Sequence, residues 1–187
     1  MIFSSPQFLG TLYGLSEFGL LLAKRSRGGA KSADDGSLRL LWIVILCALG
    51  LATLAAIFLP GARSAILMRL RPLAVALFVA GLALRWYAIV YLGRLFTVNV
   101  AIAADHPVVD SGPYRYIRHP SYSGALLVFL GLGLSFGNVV SLLLVVVLPW
   151  LALSRRMAIE ERALMHALGE PYARYMAGTK RLIPGVY

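Results

Sequence analysis

The feature that most constrains this chain is a series of apolar runs about one membrane thickness long, separated by short clusters of Lys and Arg. A helix needs about 20 predominantly apolar residues to cross the hydrocarbon core. Inside lipid, a helix satisfies every backbone polar group within its own segment. Residues 2–23 form one such run and stop at Lys24-Arg25. Residues 38–59 form a second, ended by Pro60-Gly61, and residues 72–92 a third, with Arg85 inside it. Two shorter arms, 121–136 and 139–153, flank Gly137-Asn138 and read as a helical hairpin.

Composition supports this reading. Hydrophobic residues make up 59% of the 187 and charged residues 14%, against about 25% charged in a soluble domain. The chain lacks the polar residues to cover a water-facing surface. Its formal charge of +10 sits between the apolar runs rather than on a basic face with interleaved aromatics. That argues against nucleic acid and for anchoring at an anionic membrane surface.

With the N-terminus outside, segments 24–39, 93–122 and 154–187 carry fourteen Lys and Arg, against three in 60–72. The positive-inside rule then puts the 93–122 loop and the C-terminal segment together on the cytosolic side. The first run has no basic n-region and no clear cleavage site, so it reads as a retained span. The expected fold is an all-α integral membrane protein with about five transmembrane helices, a C-terminal helical hairpin and a cytosolic helical tail. It forms a single membrane domain over 1–187, with three N-terminal spans in 1–92 and a loop, hairpin and tail in 93–187. Gly169, with Pro171 two residues on, marks a helix stop in the tail. Gly133 and Gly137, four apart, suggest close helix packing.

Ionisable groups inside a membrane are costly and mark function or structural pairing. Glu17 and Arg85 both lie about two turns inside the cytosolic boundary, on different helices, and can pair across the bundle. Arg85 reads equally as half of a structural pair or as a guanidinium for an anionic group on a lipid-like substrate. The run from Ser111 to Gly124 packs hydroxyls, His119, Arg115 and Arg118 against a helix start at Pro120. Such a start suits a carboxylate or phosphate, and the loop alone could equally hold lipid headgroups. Arg156 and Glu160, four apart, share one helix face. The lone Cys47 has no disulfide partner. With only His106, His119 and His166 besides, a metal site is not expected.

Taken in order, His106-x-Val108-Val109-x-Ser111-Gly112-x-Tyr114, Arg118-His119-Pro120-Ser121-Tyr122-x-Gly124, Glu160-Glu161 and Gly169-Glu170-x-Tyr172 resemble the isoprenylcysteine carboxyl methyltransferase family. Gly81 to Arg85, followed by Phe96-Thr97, resembles that family's preceding helix. The resemblance covers roughly 81–187. It implies an S-adenosyl-L-methionine site at His106, Pro107, Val108, Val109, Tyr114, His119, Pro120, Ser121, Tyr122 and Glu160, with Asn99 matching an upstream amide residue at a different spacing. It implies catalytic roles for Arg156, Arg85 and Glu160, and acceptor contacts from Arg156 and Arg85; Glu17, as the candidate partner of Arg85, joins that acceptor set. The chain departs from the family in having Pro107 inside the His106 element and only two adjacent glutamates before Arg162.

The implied activity is carboxyl O-methylation of an isoprenylcysteine-like or other prenylated acceptor that enters from the bilayer among membrane lipids. Methylation of another lipid-like amine or thiol is an alternative. Two others are an NADPH-dependent reductase of the sterol type, which shares the His-Pro-x-Tyr element, and a non-enzymatic lipid-binding protein. The oligomeric state is not encoded in these motifs.

Overall fold

The computed structural model describes residues 2–23, 36–96 and 107–187. Among these, every regular element is helical: α1 (Pro6–Ala23), α2 (Ser37–Phe58), a short α3 (Ala65–Arg69), α4 (Arg71–Leu92), α5 (Pro120–Ser135), α6 (Val139–Leu168) and α7 (Glu170–Gly178). Three helical stretches are long and apolar enough to cross a membrane: Ser37–Phe58, Arg71–Leu95 and Val139–Leu168. The helix α1 has 18 residues and α5 has 16, so α5 rises only about 24 Å.

The short α5 is the hub of the bundle. It packs on α1, α4 and α6, while α2 packs on α6. Its burial runs around much of its circumference at the C-terminal end, through Phe129, Gly131, Leu132, Gly133 and Leu134. A helix surrounded by other helices does not have to match the bilayer on its own. The core continues through Leu9 and Tyr13 of α1, Ile45 and Ala52 of α2, Phe78 of α4, and Val145 and Leu153 of α6. Large apolar side chains such as Leu22, Leu46, Phe58 and Val90 remain exposed, as a lipid-facing surface requires.

Helices α4 and α5 approach backbone to backbone. A Cβ on Gly81 would lie 2.6 Å from the Gly124 carbonyl oxygen, and one on Gly124 would lie 2.6 Å from the Arg85 nitrogen. Gly131 meets Ala74 and Phe78 in the same way. Small residues at such a crossing let dispersion and weak polar contacts replace the missing hydrophobic drive in lipid. The expected Gly133–Gly137 pair is corrected in part. Gly133 packs closely against Leu142 of α6 and Gly137 against Met68 of α3, but Gly137 lies past the end of α5 with a φ of 64°. It serves the hairpin turn, where a left-handed backbone is needed.

That turn is tied down at the far end of the bundle. Asn138 caps α6 by accepting from the Ser141 nitrogen at 3.1 Å, and its amide donates to the Leu59 carbonyl at 3.1 Å. The Ser141 hydroxyl donates to Ala52 at 2.7 Å. One asparagine therefore satisfies the start of α6 and the end of α2 together.

Candidate active site

The opposite end of the bundle gathers the charged side chains. With 30 residues, α6 rises about 45 Å, well beyond a core of about 30 Å. Its second half, from Arg155 through Arg162, is the part that leaves the apolar layer. The chain from 107 to 119 lies against this end of α4. Gly112, at φ 56°, presses its α-carbon against the Tyr91 ring, and the Tyr91 hydroxyl donates to Ser111 at 3.0 Å. Tyr114 is buried and donates to the Ala88 carbonyl at 3.3 Å.

Pro120 opens α5 where no backbone N–H is needed. Beside it, His119 stacks on Tyr122, with ring centroids 5.4 Å apart. The two adjacent glutamates then divide the work, because neighbours on a helix point about 100° apart. Glu161 is buried and faces the loop. It accepts from Arg118 at 2.9 Å and from Arg181 at 2.6 Å, and lies 3.2 Å from His119 Nε2. Burial alone would raise its carboxyl, but the hydrogen bonds from His119, Arg181 and Arg118 outweigh that and hold it at about 2.

Glu160 faces the bundle, with its side chain one-third exposed. The Tyr122 hydroxyl donates to Glu160 Oε2 at 2.8 Å and accepts from Arg156 Nε at 3.1 Å. Arg156 also donates to Ser37 of α2 at 2.9 Å.

Arg85 and Glu17 form the pair expected across the bundle. Arg85 Nε and Nη2 donate to the two carboxylate oxygens at 2.5 and 2.7 Å, and Nη1 donates to the Ser121 carbonyl at 3.2 Å. This fork is geometrically specific as well as strong. Arg85, Glu17, Arg156 and Tyr122 line one small cavity of about 50 Å³. Its other walls are apolar and aromatic, including Tyr13 of α1, Trp42 of α2 and Phe129 of α5.

The C-terminal segment closes the loop side. The Arg118 and His119 nitrogens donate to the Lys180 and Arg181 carbonyls at 2.8 and 3.0 Å. The Ser123 hydroxyl donates to Leu182 at 2.7 Å, and Arg118 Nη1 donates to the Thr179 carbonyl. The Tyr175 hydroxyl donates to the Tyr114 carbonyl at 2.7 Å. Burial pushes Tyr175 up to about 12, with the charge of Asp110 adding and that of Arg118 opposing. Burial raises Tyr114 and Tyr172 as well, reinforced by Glu160 for the first and by Glu161 and Glu160 for the second. These phenols stay neutral at physiological pH, and those of Tyr114 and Tyr175 serve as hydrogen-bond donors.

Of the residues singled out in the sequence, Arg156, Glu160, Tyr122, His119, Arg85 and Glu17 therefore stand close together. Ser121 joins them through its backbone carbonyl. Pro120 is buried at the helix start, Val108 and Val109 are partly buried, and Pro107 is exposed. Asn99 and His106 lie outside the described residues. Sequence reasoning missed Ser37 and Arg181, and it placed Arg118 in the charged loop without its bond to Glu161. It also missed the separate duty of Glu161, for which adjacency to Glu160 was the available signal. Among the described residues, no three His, Cys, Asp or Glu side chains gather as metal ligands.

Fold and site together define an integral membrane protein of packed helices with a charged, aromatic-lined cluster at one end. Residues 74–166, just under half of the chain, match the sequence profile of the Isoprenylcysteine carboxyl methyltransferase (ICMT) family. The chain is 38% identical over 106 residues to the Schizosaccharomyces pombe protein-S-isoprenylcysteine O-methyltransferase, covering 56% of this chain and 45% of that protein. It is 33% identical over 110 residues to protein-S-isoprenylcysteine O-methyltransferase B of Arabidopsis thaliana, covering 58% and 56%. The chain thus spans about half the length of the curated relatives it matches. The fold also resembles a solved structure of the eukaryotic intramembrane Ras methyltransferase ICMT, with a TM-score of 0.61 and 24% identity over 77% of this chain and 52% of that one.

Proposed function

We propose that this protein is a membrane-embedded methyltransferase using S-adenosyl-L-methionine, and that its acceptor is a lipophilic carboxylate of the isoprenylcysteine type. The observation that carries the reading is the convergence of two arginines, Arg156 and Arg85, on one largely apolar cavity beside Tyr122 and Glu160. The names of the relatives support the substrate class.

The donor set fits the proposed cofactor. A part-exposed carboxylate next to a tyrosine and a histidine suits a cationic sulfur and ammonium, and Glu160 with Tyr122 and His119 has that chemistry. Tyr114, Pro120, Ser121 and the 107–109 stretch then act by shaping the walls, while Asn99 and His106 belong to the same proposed site. When bound, S-adenosyl-L-methionine supplies an activated methyl group whose transfer needs no Lewis acid or redox change.

The residues of the chain contribute positioning and charge. An acceptor carboxylate is already ionised at neutral pH, so no general base is required. Arg156 presents a planar guanidinium that can hold such a group in one orientation. Arg85, paired with Glu17 and bonded to the Ser121 carbonyl, forms a fixed polar wall of the cavity beside Arg156. Holding the acceptor oxygen in line with the methyl group is the main source of rate. The cavity takes little more than one or two water-sized groups, each of about 30 Å³. A prenyl chain therefore enters by parting the wall formed by α1 and α2, from the bilayer side. The charged end faces the cytosol in this proposal, where a soluble cofactor has access.

Calorimetric titration of detergent-purified protein with S-adenosyl-L-methionine, S-adenosylhomocysteine and NADPH tests the reading. Binding of the first two and not the third is the expected result. Binding of NADPH alone would replace methyl transfer with reduction, and binding of none would leave a lipid-binding role.

A further inference from the structure

The far end of the bundle holds a second cavity that has no part in the proposed chemistry. It has a volume of about 470 Å³ and lies among the start of α1, the end of α2, the 60–72 connection and the end of α5. Two arginines, Arg63 and Arg71, line it together with Gln7 of α1. The Nε of Arg71 is buried and has no hydrogen-bond partner among the described residues. A buried guanidinium nitrogen without an acceptor costs free energy, more so because it is charged.

Among the described residues no carboxylate pairs with it. No Asp or Glu occurs from Gly36 through Ala104, or from Ser111 through Ile159. Every acidic residue of the second half of α6 is at the other end of the molecule, and Glu17 is held by Arg85. Three hydroxyls on the cavity wall are engaged within their own helices or turns, and the first, Ser5, accepts from the Phe8 nitrogen at 3.3 Å. Thr53 and Ser135 donate into their own helices, to Leu49 and Leu132, and no bond joins them to an arginine.

We propose that this cavity binds a phosphate-type oxyanion, with Arg71 and Arg63 as its cationic arms and Gln7 as a neutral donor. A guanidinium fork matches phosphate oxygens bidentately, and a tetrahedral oxyanion supplies the acceptors that the protein withholds. The same chemistry is offered by a phospholipid headgroup in the leaflet at this end and by free phosphate.

Two measurements separate the sources. In native mass spectrometry, the detergent-released protein is exposed to dioleoyl phosphatidylglycerol or to dioleoylglycerol, which lacks the phosphate. In thermal unfolding, inorganic phosphate is compared with chloride at equal ionic strength. Preferential retention of phosphatidylglycerol with no response to inorganic phosphate supports the site with a lipid source. A rise in melting temperature with inorganic phosphate supports it with a free anion.

Either signal falls by about tenfold or more in Arg71→Gln, as loss of a charge-assisted bond implies, and weakens in Arg63→Gln. It persists in Arg69→Gln, whose exposed side chain is not part of the wall. Arg71→Lys keeps the charge without the fork and gives an intermediate loss, which covers the case where Arg71→Gln does not fold. Equal retention of both lipids with no phosphate response overturns the proposal. So does an Arg69→Gln effect as large as that of Arg71→Gln.

Discussion

Substituting Gly124 by Ala tests how far the site depends on the α4–α5 crossing. The added Cβ lands 2.6 Å from both the Arg85 nitrogen and the Gly81 carbonyl oxygen, where ordinary contact begins at 3.4 Å. The two helices must part by about 0.8 Å, since backbone on both sides leaves no side chain to swing away. Overpacking of this kind costs about 1–3 kcal/mol. The same shift takes the bond from Arg85 Nη1 to the Ser121 carbonyl, now 3.2 Å, out of hydrogen-bond range. A misplacement near 1 Å costs on the order of 100-fold in rate where orientation controls it.

Melting in detergent and methyl-transfer turnover are the two readouts, with Gly14→Ala and Gly50→Ala as controls because a Cβ there meets nothing within 4 Å. Both controls should match the parent protein. If Gly124→Ala also melts and turns over like the parent, the packing argument and its link to Arg85 are wrong.

Three further outcomes follow from the same geometry. Arg156→Ala should lower acceptor turnover by about 10- to 100-fold, the range for a lost bond to a charged group, with cofactor affinity measured by calorimetry unchanged. Glu17→Gln leaves Arg85 buried without its counter-charge and should cost about 3–5 kcal/mol, read as a lower melting temperature; an unchanged melt would count against a buried pair. The Glu161 carboxyl is held at about 2 in the folded protein, below its unfolded value. Its stabilisation is therefore complete above the ordinary carboxylate range and lost as pH falls from about 4.5 toward 2. Glu161→Gln should flatten that acid limb of the stability curve.

Much of the architecture was legible because lipid imposes a simple length rule on apolar runs. Those runs located α1, α2, α4 and the α5–α6 hairpin within a few residues, without establishing how many cross the membrane. The charged cluster was legible for a related reason. Glu17 and Arg85 stand out against apolar sequence, and Arg156 and Glu160 share a helix face at a spacing of four.

What stayed hidden depends on contacts between distant segments. Nothing local indicates that Ser37 meets Arg156, or that Lys180 and Arg181 pair with the backbone of Arg118 and His119. Gly133 and Gly137 drew attention by spacing, yet Gly81, Gly124 and Gly131 make the tightest approaches between helix backbones, because they sit where α4 and α5 cross. The separate duties of Glu160 and Glu161 also required the helix orientation, which adjacency alone leaves open.

The most direct test of the central claim is methyl transfer itself. Purified protein is incubated with methyl-tritiated S-adenosyl-L-methionine and N-acetyl-S-farnesylcysteine, and the label released as volatile methanol by mild base is counted. A carboxyl methyltransferase gives base-labile label that depends on both substrates and falls sharply in Arg156→Ala. Label that appears only in a base-stable product would contradict carboxylate methylation, and cofactor binding without any transfer to the prenylated acceptor would contradict the proposed substrate class.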